Sequence, residues 1–387
     1  NEGNLTKIQN LYKDRTRLIE KLFNNQKNLK ELNSPDFYAL EKIQENLESN
    51  EYILNYQVFN NRTLAILISK TDEEVIEIDV PKAEIIANSY KLKNSLADSK
   101  SIFDFQASNN LYKSIFKPLE GAIQDSSTVY LLGSNLEEIP FNALVSKVPD
   151  KSNYTRNLVE ASFLIDRFTF VRIFPLTKKR NTSFKEKYIS FANPDSSLEM
   201  GLPSLPSAEE EAILISMASG SRKNNFFGKD ASKENVLKLI ENKYERVHFG
   251  THSVPPYWKD LVSESSLVLS SNKGDYLLSA SEISALEIES DVVLLSSCDA
   301  SSDGFDSLYK AFLVAGSNSV IYSNWELETN SATQITTELF KSIWQEEDAE
   351  LHEALRSSLL KLKRSYRDKD HLSPYFWANF SIAYGNI

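Results

Sequence analysis

Arg246-Val247-His248-Phe249-Gly250-Thr251-His252-Ser253, set beside Val292-Val293-Leu294-Leu295-Ser296-Ser297-Cys298-Asp299-Ala300, decides how this chain folds. Each stretch opens on a short apolar run and closes on polar residues that carry a reactive group, an imidazole in the first and a thiol in the second. Two more apolar runs, 188–192 and 319–322, accompany them, and long helical or loop segments separate the first three. Short buried strands spaced in this way call for right-handed crossovers, so the expected fold is an open, mainly parallel α/β sheet flanked by helices. Ligands in such sheets bind beyond the carboxyl ends of the strands. His252 and Cys298 are therefore expected at one rim. A thiol is mostly protonated at neutral pH, and a neighbouring imidazole that takes its proton makes it a nucleophile.

Other readings of the same residues stay open. A cysteine after an apolar strand is often a small buried hydrophobe, and a lone histidine is often only hydrogen-bonded. His248 and His252 share a strand face, which would suit a two-histidine metal pair, but no third ligand is evident. No cofactor is expected. His352, in a helix-like stretch, and His371, in a charged one, read as solvated.

Composition narrows the classes. The 387 residues are 41% hydrophobic and 25% charged, as in ordinary globular proteins, and no apolar run approaches the ~18 residues of a membrane span. The net charge of −11 and the lack of a Lys/Arg stripe argue against direct nucleic-acid binding. One cysteine excludes an internal disulfide and a thiolate zinc site, so the expected compartment is the cytoplasm. The start, Asn1-Glu2-Gly3-Asn4, reads as a cut end of something longer.

Working outward, residues 1–50 repeat apolar positions at helical spacing (Leu5, Ile8, Leu11, then Leu18, Ile19, Leu22) and form a helical hairpin, read either as packing or as the end of a helical repeat array. From residue 51 the pattern changes to strands at 52–58, 63–69 and 74–80, an antiparallel meander. Helices follow over 82–124, then a strand at 128–132. Residues 177–186 are polar and unpatterned and are placed as a linker, dividing the chain into 51–180 and 181–387.

The motif order then resembles a known family. Leu205-Pro206-Ser207-Ala208-Glu209-Glu210-Glu211, Gly228-Lys229-Asp230-Ala231-Ser232, Val247-His248-Phe249-Gly250-Thr251-His252, Leu278-Ser279-Ala280-Ser281-Glu282-Ile283, Leu295-Ser296-Ser297-Cys298-Asp299-Ala300, Ala311-Phe312-Leu313-Val314-Ala315-Gly316 and Pro374-Tyr375-Phe376-Trp377-Ala378-Asn379-Phe380 are similar, in sequence order, to the CHAT family of caspase-like cysteine peptidases. That family belongs to the clan of caspases, separase and gingipain. Ile139-Pro140-Phe141-Asn142-Ala143-Leu144 is similar to its first half.

The resemblance implies a duplicated fold, with 51–180 an inactive pseudo-caspase half and 181–387 the active half. It implies an endopeptidase with Cys298 as nucleophile, His252 as base, and an oxyanion hole made by the backbone N–H groups of Ser253 and Cys298. Asp195, Ser296, Trp325, Glu326 and Glu328 map to the P1 pocket, where an acid would favour Lys or Arg; the alternative for Trp325 is core packing. The family usually has Gly after the catalytic His, and Ser253 there leaves open a catalytically weak regulatory or scaffold module. Family members often follow tetratricopeptide (TPR) repeats and some act in bacterial defence. The implied partners are a protein substrate and a regulatory protein met through the N-terminal helices.

Overall fold

The computed structural model describes residues 40–133, 136–148, 153–174, 183–219, 224–237, 239, 242–256, 258, 263–272, 274–297, 307–345, 350–365 and 371–385. Most of the expected helical hairpin and all of Cys298 lie outside the described residues. So does most of the expected linker.

After helix α1 (Leu40–Asn46), the meander forms as read, with β1 (Glu51–Val58), β2 (Thr63–Ser69) and β3 (Glu73–Ile78) paired antiparallel. Helices α2 (Lys82–Asn94) and α3 (Phe105–Leu111) precede β4 (Thr128–Leu132). A small ribbon of β5 (Val145–Lys147) and β6 (Ser162–Phe163) encloses α4 (Tyr154–Glu160), and β7 (Thr169–Ile173) follows. Beyond it come β8 (Glu186–Ala192), α5 (Pro206–Ser219), β9 (Asn225–Phe227) and β10 (Tyr244–Gly250). The strands β11 (Ser253–Val254), β12 (Ser266–Val268) and β13 (Leu277–Ser279) make a separate antiparallel sheet. The chain continues through β14 (Val292–Leu295), α6 (Leu308–Ala315), β15 (Ser319–Ser323), α7 (Thr329–Gln345), α8 (Leu351–Ser365) and β16 (Phe380–Tyr384).

The large sheet has the order β3-β2-β1-β4-β7-β16-β15-β14-β10-β8-β9. Beside the antiparallel β2 and β3 at one edge, it contains two parallel blocks running in opposite directions. β1, β4, β7 and β16 run together. β15, β14, β10, β8 and β9 run the other way. They meet in the antiparallel pair β15/β16. The expectation of a mainly parallel α/β sheet flanked by helices holds, with strands within a residue or two of 188–192, 246–250, 292–296 and 319–322.

Of the strands not read from the sequence, β7 and β16 lie where the blocks meet. β7 contains Arg172, which looks like a surface charge, yet it is buried, with Nη2 donating to the Ile139 carbonyl at 3.1 Å. Nearby, Glu137 accepts from Lys310 Nζ at 2.6 Å and from the Tyr309 hydroxyl at 3.2 Å, and Tyr309 stacks on Tyr322 at 4.4 Å. A loop of the first block is thereby fastened to α6, the helix that follows residues 298–306.

Burial explains the strands. Val292, Val293, Leu294 and Leu295 are all fully buried, as a strand covered on both faces requires. Phe191, Phe249 and Phe312 stack in series with centroid separations of 5.3 and 5.2 Å, locking β8, β10 and α6 together.

His352 corrects the expectation that it is solvated. It is 4% exposed, packed edge-on to Tyr130 and Tyr384, with Nδ1 3.0 Å from the Tyr384 hydroxyl. Burial lowers its pKa, against the upward pull of Glu353, Glu350 and Glu51. The folded form thus resists protonation more than the unfolded chain does. The stability His352 contributes is complete above its unfolded value of about 6.5 and declines as pH falls below it, by at most about 1.4 kcal/mol per pH unit. Thermal melts between pH 7.5 and 5 should therefore show His352→Gln losing less of its midpoint than the parent on acidification; parallel pH profiles would contradict this.

Candidate functional site

Strands β8, β10 and β14 end at one rim. Their parallel registers place Gly250 beside Ala192 and Phe249 beside Leu295, so residues 193, 251 and 297 leave the sheet at the same level. The Ser296 N–H donates to the Phe249 carbonyl at 3.0 Å, extending the ladder by one step past β14. Ser297 is buried and its carbonyl accepts from the Ser323 hydroxyl at the end of β15. The next residue is Cys298.

His252 lies two residues past β10 and is partly exposed. Its Nε2 is 2.8 Å from the carbonyl oxygen of Pro203. A carbonyl only accepts, so Nε2 carries the hydrogen and Nδ1 carries the lone pair. Pro203 was not singled out in the sequence, because a backbone oxygen leaves no side-chain signal. Ser253 opens β11 opposite Leu267, and the neighbouring bond from Val268 N to the His252 carbonyl, at 2.9 Å, makes 252 and 268 the hydrogen-bonded pair. By antiparallel alternation the Ser253 N–H then points away from β12. Among the described non-glycine residues only Ser126, Asn193 and Lys243 have positive φ, so the backbone at 253 does not demand glycine.

The loop that supplies Pro203 is itself braced by Asn193, which stands in the left-handed region at φ 49°. Its side-chain oxygen accepts from the Leu205 N–H at 2.6 Å and the Ser204 hydroxyl at 3.0 Å, and its amide donates to Glu209 at 2.7 Å. Its own N–H donates to the Gly250 carbonyl at 3.0 Å. One residue thus ties the end of β8 to the end of β10 and to the entry of α5.

Helix α5 presents Ala208, Glu211, Ala212, Ile215 and Ser216 to the sheet at helical spacing, with Glu211 the one acid in the stripe. Close approach is possible because Gly250 faces it; a Cβ there would stand 2.9 Å from Ala208 Cβ. Glu211 accepts from the Ser296 hydroxyl at 2.7 Å, and its Oε1 lies 3.5 Å from His248 Nε2. His248 Nδ1 is 3.2 Å from the Tyr188 hydroxyl. Burial pushes the Glu211 carboxyl up to about 7, against the pull of the Ser296 and Thr336 hydroxyls, and burial pushes His248 down to about 3. At neutral pH the imidazole is therefore uncharged, and the pair is not an ion pair. Its face is closed by Glu211 and Tyr188, and no cluster of three or more metal-ligating side chains occurs among the described residues.

The five residues mapped to the P1 pocket scatter in character. Asp195 is exposed just past β8, its Oδ1 filling the space over Gly228. Glu326 is exposed too. Ser296 is bonded to Glu211. Trp325 is 6% exposed with its indole N–H donating to the Tyr375 carbonyl at 3.0 Å, the packing alternative for this residue. The Glu328 carboxylate accepts from Ser331 N, Ser331 Oγ and Asn330 N, capping the start of α7. These bonds and His371 outweigh burial and hold its pKa down.

No helix among the described residues is long and apolar enough to cross a membrane. A family model described as "CHAT domain" matches residues 106–386. Human tetratricopeptide repeat protein 28 is 24% identical over 342 residues, covering 75% of this chain and 13% of that protein, so the chain spans only a small part of this curated relative. Among solved structures, the Saccharomyces cerevisiae separase–securin complex aligns at 9% identity with a TM-score of 0.48, covering 90% of this chain and 30% of that one. The pro- and mature domains of Porphyromonas gingivalis RgpB align at 12% identity and a TM-score of 0.45, covering 79% and 77%.

Asn193 is testable directly. Asn193→Ala loses both the bonds and the tolerance of positive φ, whereas Asn193→Gly loses the bonds alone. Denaturant unfolding should place the alanine variant below the glycine variant by about 1 kcal/mol; the reverse order would remove the brace from the account.

Proposed function

The chain belongs to the CHAT domain family, and from that premise we propose that it is a protease-type module of the caspase-like fold that turns over weakly by itself and serves as a regulatory or scaffold element. The observation that carries this is the engagement of the mapped P1 walls. Ser296 is bonded to Glu211, Trp325 to the Tyr375 carbonyl, and Glu328 to the first turn of α7. A substrate side chain using that pocket would have to break contacts the fold already makes. The proposal keeps 51–180 as an inactive half, 181–387 as the half with the site and 1–50 as a regulatory contact; β1, β4 and β7 of the first strand block come from 51–180, and β16 joins them from 181–387.

A second reading, a competent cysteine endopeptidase, is favoured by a different observation, the hydrogen bond from His252 Nε2 to Pro203. It leaves the Nδ1 lone pair to take the proton of the Cys298 thiol as sulfur attacks a peptide carbonyl carbon. The tetrahedral oxyanion would meet the Ser253 and Cys298 N–H groups. Collapse breaks the C–N bond, with the proton passing from His252 to the leaving amine, and water then hydrolyses the thioester. Each oxyanion donor is worth roughly 3 kcal/mol. Asp195 and Glu326, both exposed, would favour a Lys or Arg at P1.

Incubation with peptides bearing each P1 residue, for the parent, Cys298→Ala and His252→Ala, separates the two. The proposal expects slow cleavage, abolished by Cys298→Ala and reduced at least about 100-fold by His252→Ala, the ordinary worth of a general base. Rapid turnover that both variants abolish would establish the second reading, and cleavage unaffected by either would overturn both.

A further inference from the structure

Pro203 and Ser204 are exposed, so packing does not aim the carbonyl that faces His252 Nε2, and proline has no N–H with which to anchor itself. Hydrogen bonds hold the loop instead. On one side the Leu202 N–H donates to the Ser197 carbonyl at 2.7 Å. On the other, the Ser204 hydroxyl and the Leu205 N–H both donate to the Asn193 side-chain oxygen. The main chain of the same asparagine is bonded elsewhere. Its N–H donates to the carbonyl of Gly250, two residues before His252, and its carbonyl accepts from the Gly228 N–H at 3.2 Å. Asn193 is thus tied through its backbone to the strand that carries the imidazole, and through its side chain to the loop that carries the imidazole's acceptor.

An asparagine amide can sit either way round, and its partners decide which. The Leu205 N–H can only donate, and the Glu209 carboxylate, 2.7 Å from Nδ2, can only accept. Together they leave a single orientation, with the oxygen turned to the loop. We infer that Asn193 is a positioning residue for His252 and that Glu209 sets its orientation: the pair holds the Pro203 carbonyl against Nε2, which keeps the hydrogen there and the lone pair on Nδ1. This rests on the reading of His252 as the general base. The hydrogen bond made by one ring nitrogen of a histidine determines which nitrogen is protonated. A loop free to swing away would let the hydrogen pass between the two nitrogens and turn the lone pair to the wrong side.

The 15N resonances of the histidine rings report this directly in the full chain, at about pH 8.5, above the ordinary histidine pKa of about 6.5. The chain has four histidines, and His252→Gln identifies the pair of interest by its disappearance. In the parent, the bare and the hydrogen-bearing nitrogen of His252 should resonate far apart. Asn193→Gly keeps the backbone conformation without the bonds, and Asn193→Asp sets two carboxylates against each other. In both, the two resonances should move toward one another, as in a ring that exchanges tautomers. Combining Asn193→Asp with Glu209→Gln reverses the sense of the bond: the aspartate still accepts from Leu205 and Ser204, and the glutamine amide donates to it. The double variant should recover the parent separation. A brace that is merely structural would move melting points and leave the His252 resonances where they are. Parent-like resonances in folded single variants, or a double variant no better than Asn193→Asp, would overturn the inference. The readout needs no substrate. Cleavage indifferent to His252→Ala therefore counts against the general-base reading alone, and unchanged ring resonances against the positioning alone.

Discussion

The parallel pairing of β10 with β14 is the constraint on which the site depends. With Val247 beside Val293, His248 beside Leu294 and Phe249 beside Leu295, two segments far apart in sequence leave the sheet side by side. A slip of one residue would turn every side chain of the strand to the opposite face. Register here is held by burial on both faces, with the Phe191–Phe249–Phe312 stack on one side and the α5 stripe on the other. Both sets of contacts would fail together if the pairing shifted.

Around that pair the molecule adds a polar frame at the strand ends. Asn193, Pro203 and Glu211 lie within one stretch of chain and address β8, β10 and β14 in turn. Each contact is made where the hydrophobic sheet gives way to the rim, the place where an apolar core can no longer dictate geometry. On the far side, Glu137, Lys310 and Arg172 fasten the first strand block to α6. The segment 298–306 is thus entered from β14 and left through α6, two elements that are both anchored.

The sheet was legible because its central strands are unusually plain. Val292 to Leu295 and Ser319 to Tyr322 are short apolar runs between polar breaks, and the meander alternates as an antiparallel ribbon should. β7 and β16 escaped because Arg172 interrupts one run and the other starts only at Phe380, the last residue of the aromatic closing motif. The candidate pair, His252 and Cys298, stood out by chemistry at strand ends. Pro203 acts through its backbone and could not be seen. Glu211 could have been: an acid at the i+3 position of a buried stripe that starts at Ala208 is a departure from amphipathic pattern. His352 misled for the converse reason, since neighbouring charges on a helix conceal that its own face is turned inward.

Convergence of the two strand ends is best measured by chemical cross-linking in the folded protein. With one native cysteine, a His252→Cys variant carries two thiols, and a short homobifunctional thiol reagent reports whether they lie within its span. The account predicts one intramolecular cross-link, formed under native conditions and lost on denaturation. Two thiols that react separately, each with its own reagent molecule, would contradict it.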